Sequence, residues 1–155
     1  MTQLENTPAV SDEDVRSFLL AHGLAPDDLN APAAHGITPL MRAALLGRSD
    51  MVEALLARGV DVHARNTDGN TVLWLGCFSN QRDVVTRLIA AGVRLDNQND
   101  TGATALMYAA SAGKDAMVAL LLEAGADPYL TNQDGAKAVD MAASYACLKL
   151  LRHTA

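Results

Sequence analysis

The sequence predicts an all-α solenoid of stacked helix–turn–helix units joined by extended turns, and three observations predict it. Glycines recur in phase: Gly36, Gly69, Gly102 and Gly135 stand 33 residues apart, as do Gly59, Gly92 and Gly125, and Asn66, Asn99 and Asn132 keep the same interval. Between these anchors apolar residues fall three and four apart, as in Val52, Leu55 and Leu56, repeated as Val85, Leu88 and Ile89 and as Val118, Leu121 and Leu122. Half of the 155 residues are hydrophobic but only 4% are aromatic, so the core must be built from Ala, Leu, Val and Met, side chains that pack well between helices.

Taken in order, residues 1–10 are polar and are expected to be disordered. Residues 11–32 form an N-terminal capping helix and a linker. Ser11 with Asp14 three residues on reads as a capping box, and Phe18, Leu19 and Leu20 precede Gly23 as the paired apolar residues precede Gly59. Pro26 and Pro32 interrupt the segment that follows, which is longer than its later counterparts. The first full unit covers 33–65. There Thr38 is a good N-cap, Pro39 fits the first helical position, and Leu40, Ala43 and Ala44 make one apolar stripe. Gly47 ends that first helix in a left-handed conformation, and Gly59 ends the second. Units 66–98 and 99–131 repeat the scheme, with Asn80 and Gly113 in the place of Gly47. In the last unit, 132–155, Val139, Ala142 and Ala143 keep the pattern, and Cys147, Leu148, Leu150 and Leu151 form a shortened second helix without a closing glycine. One unit cannot bury its own apolar face, so neighbours stack, and the two atypical ends predict a monomer because they close the stack.

The stretch from His35 to Asp61, HGITPLMRAALLGRSDMVEALLARGVD, together with Thr71-Val72-Leu73, Thr104-Ala105-Leu106 and the pairs Ala43-Ala44, Gly76-Cys77, Ala109-Ala110 and Ala142-Ala143, resembles the repeat of the ankyrin family from about Ala33 to the C-terminus. The resemblance implies a curved solenoid with extended turns, no enzymatic activity, and a partner protein bound on the concave side. A small bacterial member acting as an accessory factor, immunity protein or secreted effector fits this reading, and fold alone does not choose among those roles.

Charge and motifs exclude other classes. The net charge of −6 repels a phosphate backbone, which argues against nucleic acid. The first ten residues carry Glu5 and no Lys or Arg, and no run approaches 18 uncharged apolar residues, so a cytoplasmic protein without membrane contact is expected. Cys77 and Cys147 lie far apart in apolar helical contexts, and His22, His35, His63 and His153 are scattered, so neither a disulfide, a metal site nor another cofactor is expected. Gly113-Lys114-Asp115 lacks the upstream glycine and the hydroxyl of a P-loop. Asp61, Asp68, Asp96, Asp100, Asp127 and Asp134 stand near turns, where aspartate caps backbone groups, and are read as structural. No residue set carries catalysis.

The second unit departs most from the pattern, with Trp74, Gly76, Cys77 and Phe78 in its first helix. A glycine inside a helix costs about 1 kcal/mol relative to alanine, so Gly76 must admit either the bulk of Trp74 or a close helix approach. Trp74 is assigned to structure and Phe78 to recognition. In the ankyrin register the positions after the paired small residues, and those flanking the anchor glycine, look toward the concave face. The candidate partner-binding residues are accordingly His35, Ile37, Leu45, Leu46, Asp68, Asn70, Phe78, Ser79, Asp100, Thr101, Ser111 and Tyr145, with Phe78 near the centre and the polar turn residues as a rim. His35 also reads as a plain exposed turn residue. The competing function is a small-ligand or redox-sensing site around Trp74–Asn80 with Cys77.

Overall fold

The computed structural model describes residues 9–153, so the expected disorder of residues 1–10 falls outside the described residues except at Ala9 and Val10. Nine α-helices and no strand occur among the described residues: α1 (Asp12–Ala21), α2 (Pro39–Leu45), α3 (Ser49–Ala57), α4 (Val72–Phe78), α5 (Arg82–Ala90), α6 (Ala105–Ser111), α7 (Asp115–Ala124), α8 (Ala138–Met141) and α9 (Tyr145–Arg152). They form two layers. The first helices of the units, α2, α4, α6 and α8, pack in a row, and the second helices α3, α5, α7 and α9 pack in another, which α1 extends at its N-terminal end. The core runs unbroken between the layers, with Leu40, Leu73 and Leu106 from one side and Val52, Val85, Val118, Leu55, Leu88 and Leu121 from the other, all fully buried.

Local chemistry sets the helix ends. The Ser11 hydroxyl accepts the Asp14 N–H at 3.1 Å while the Asp14 carboxylate accepts the Ser11 N–H at 2.9 Å, the reciprocal capping box expected for α1. Thr38 and Thr104 cap α2 and α6 through the N–H groups of Met41 and Met107, but Thr71 makes no such bond for α4. After the first helices, Gly47, Asn80 and Gly113 hold φ at 69°, 58° and 70°, the left-handed region that lets the chain reverse into the second helix.

The asparagine anchors organise the turns. In each turn the Asn side-chain oxygen accepts two backbone N–H groups: Asp68 and Asn70 at Asn66, Thr101 and Ala103 at Asn99, Asp134 and Ala136 at Asn132. Successive turns are then tied by backbone bonds from Thr67 N–H to His35 C=O (3.1 Å), Asp100 N–H to Asp68 C=O (3.1 Å) and Gln133 N–H to Thr101 C=O (3.0 Å). Gly102 shows what this approach demands: a Cβ there would lie 2.9 Å from the Gln133 backbone nitrogen. Arg65 and Gln98 reinforce the row, Arg65 donating to the carbonyls of Gly69 and Gln98 and Gln98 donating to those of Gly102 and Thr131.

The C-terminal unit departs from expectation. The residues that open the second helices, Arg48, Gln81 and Lys114, are spaced by 33, but the next is Ser144, three residues early. One turn is therefore missing from the first helix. α8 ends at Met141, Ala142 adopts extended ψ of 116°, and the Ala143 N–H bonds the Ala110 carbonyl at 3.0 Å instead of continuing a helix. The stripe expected through Ala142 and Ala143 is thus not formed. Tyr145, expected at the end of a first helix, is the first residue of α9, where the Ser144 hydroxyl accepts the Cys147 N–H.

Candidate functional site

The candidate residues fall on two rows. The turn tips carry His35, Asp68, Asp100 and Thr101, all exposed and linked in sequence by the backbone bonds between turns. The second row is made by the C-terminal ends of the first helices, where Leu46 and Phe78 are 48% and 52% exposed. α4, about 10 Å long at 1.5 Å per residue, runs from the root of the turn that carries Asp68 to Phe78 at its C-terminal end.

Four of the candidate residues differ in burial or position from the expectation. Ile37 is buried and belongs to the core, and Asn70 is 5% exposed with its side-chain oxygen accepting the Asn99 amide at 2.9 Å. Both sit at the root of a turn, where the chain must fill space and satisfy polar groups, and not at its tip. Leu45 is half-buried against the core. Tyr145 is 77% exposed, but on α9 and out of register with Phe78. Ser79 and Ser111 turn their hydroxyls back on their own helices, donating to the carbonyls of Leu75 and Tyr108, both at 2.9 Å.

Around Phe78 the structure assembles an aromatic cluster larger than the sequence suggested. Trp74 and Phe78, one helical turn apart, stack with ring centroids 5.4 Å apart and planes inclined by 11°. Tyr108, from α6 in the next unit, packs 4.7 Å from Trp74 and 5.8 Å from Phe78. The Lys114 ammonium lies 5.2 Å from the Tyr108 ring centroid and donates to the carbonyls of Cys77 and Phe78, both at 2.8 Å. It thereby satisfies two orphan carbonyls at the end of α4 and opposes the negative end of the helix. Trp74 and Tyr108 are half-buried, and the exposed member is Phe78. Tyr108 and Lys114 were missed because each belongs to the following unit; the signal was the 33-residue period, which brings position 108 beside position 75 in the neighbouring helix.

Gly76 serves a close helix approach. A Cβ built on it would lie 3.0 Å from the Val85 methyl, in α5 of the same unit, so of the two readings the contact with the paired helix holds and room for Trp74 is not what the glycine supplies. Beside it Cys77 is fully buried, and that burial, partly opposed by the nearby Lys114 charge, pushes its thiol up to about 12. Such a thiol stays protonated at neutral pH and is neither a nucleophile nor a ready redox sensor. Both cysteines are free and buried. No group of His, Cys, Asp and Glu suited to a metal ion occurs among the described residues, and no helix there is long and apolar enough to cross a membrane. Asp61 and Asp127 do act as turn formers, accepting the N–H groups of His63 and Tyr129, both at 2.8 Å.

Compared with known families, the sequence matches a family model of ankyrin repeats in three copies, over residues 40–132 and again over 73–154.

Proposed function

Because the chain belongs to the ankyrin-repeat family, whose repeats generally serve as protein–protein interaction modules and are typically not enzymes, we propose that it is a non-catalytic scaffold that docks a partner protein on the face formed by its turn tips and first-helix ends. This corresponds to the concave side of the solenoid. The observation that carries the reading is the aromatic cluster at Phe78. A half-exposed phenyl ring, held by Trp74 and Tyr108 on a rigid helix pair, is an apolar anchor point that the folded core does not require. Leu46, on the preceding helix end, extends it. The face is completed by polar tips suited to selecting a partner. A monomer in the cytoplasm is the form in which this surface would be free to act.

The test is affinity capture from an extract of the source organism with the wild-type protein and with Leu46→Asp and Phe78→Asp, each first checked for cooperative thermal unfolding. A protein retained by the wild type and lost with both folded variants supports the reading. Retention unchanged by both places binding elsewhere.

A further inference from the structure

We infer that the segment this face receives is basic: a stretch of another protein that sets one large apolar side chain on Phe78 and presents Lys or Arg to the turn tips. The inference rests on the proposed docking face and adds the chemistry of its occupant. Its base is the exposed ring of Phe78 together with Leu46; the charge of the surroundings selects what accompanies the anchor.

Three exposed carboxylates, Asp68, Asp100 and Asp134, stand along the tips. Asp68 and Asp100 are adjacent, since the Asp100 N–H bonds the Asp68 carbonyl at 3.1 Å. None of the three carboxylates accepts a hydrogen bond or forms an ion pair among the described residues, in contrast to Asp61, Asp96 and Asp127, which each accept a backbone N–H. The ion pairs of the described residues, Arg16–Asp27, Arg48–Asp50, Arg58–Asp12 and Arg87–Glu53, all lie on the second-helix layer and on α1 with its linker. Cations on this side of the first helices and turns are Arg42 on α2, half-buried, Lys114 at the aromatic cluster, Arg65 and Lys137. Arg65 is engaged with the carbonyls of Gly69 and Gln98, and Lys137 is exposed at the start of α8. The Lys114 ammonium is taken up by the carbonyls of Cys77 and Phe78, so the turn tips keep their acidic charge unpaired in a chain whose net charge is already −6. A cationic segment would relieve this repulsion, and an acidic one would meet it.

The probe is a displayed library of random 16-residue peptides, selected against the purified protein, with selected peptides then measured by fluorescence anisotropy. The expected result is enrichment of peptides carrying one large apolar residue together with Lys or Arg. Their Kd should rise at least tenfold with Phe78→Ala and at least threefold with the triple variant Asp68→Asn, Asp100→Asn, Asp134→Asn, whose binding should also depend less on salt. The Asn variants keep the turn backbone and side-chain size, and their unfolding midpoints provide the check on folding. Neutral or acidic peptides that need Phe78, or basic ones indifferent to the triple variant, overturn the inference and leave the docking face standing. Peptides indifferent to Phe78→Ala, or no enrichment over an unrelated protein, count against both.

Discussion

The indole of Trp74 and the phenyl ring of Phe78 lie nearly parallel, 11° apart in plane and 5.4 Å apart in centroid, on successive turns of α4. Tyr108 closes the arrangement from the neighbouring unit. Trp74 is the only tryptophan of the chain, so its fluorescence reports on this cluster alone. Phe78→Ala is expected to leave the protein folded, to lower its stability by about 0.5–1.5 kcal/mol, the usual worth of an aromatic pair, and to make Trp74 more accessible to acrylamide. A loss above about 3 kcal/mol in urea unfolding would mean that Phe78 belongs to the core after all.

Asn99→Ala is expected to destabilise by about 1–3 kcal/mol, because the side chain both satisfies the Thr101 and Ala103 N–H groups and donates to buried Asn70. Asn132→Ala should cost less. It serves the same two backbone groups, but its amide donates to the Met141 sulfur at 3.7 Å, a weak acceptor. Equal losses for the two variants, measured by chemical denaturation, would show that the link between Asn99 and Asn70 contributes nothing.

Burial raises the Cys77 thiol from 9.0 to about 12, so the folded state holds that proton where the unfolded chain releases it. Stability from this group is complete below pH 9 and is lost as pH rises from 9 toward 12, with a slope of up to about 1.4 kcal/mol per pH unit. Cys77→Ala, which restores the residue found at positions 44 and 110, should unfold with less dependence on pH over that window. A thiol reagent should leave native Cys77 unmodified at pH 7 and label it on denaturation; rapid native labelling would revive the redox reading.

Lys114→Met keeps the length of the side chain and removes its three donors. Loss of two charge-assisted bonds to the carbonyls ending α4 should lower stability by about 1–3 kcal/mol. Near-neutral behaviour in thermal unfolding would indicate that water replaces the ammonium fully.

The repeat made the architecture legible, because a fixed interval of Gly, Asn and paired small residues states where each helix begins, ends and packs. Individual positions were legible where the interaction is local, as with the capping box of Ser11 and Asp14 or the left-handed Asn80. Reading failed where a distant residue decides. Ile37 and Asn70 flank tip positions by register, yet core packing and the Asn99 amide draw them inward. Tyr145 was misplaced because periodic extrapolation assumes no deletion, and α8 is three residues shorter than the first helices before it. Tyr108 and Lys114 join Phe78 only across a unit boundary, which pattern within one unit does not display.

The backbone bonds from one turn to the next, spaced like the repeat itself, make the number of units an adjustable length. Each inner unit presents the same donor on one side and the same acceptor on the other, so a duplicated 33-residue block inserted between the second and third units would find both partners ready. Such a chain would present a longer row of exposed turn tips. Lengthening the row of tips thus requires copying and not redesign, and only the residues exposed at the tips and helix ends need to diverge afterward.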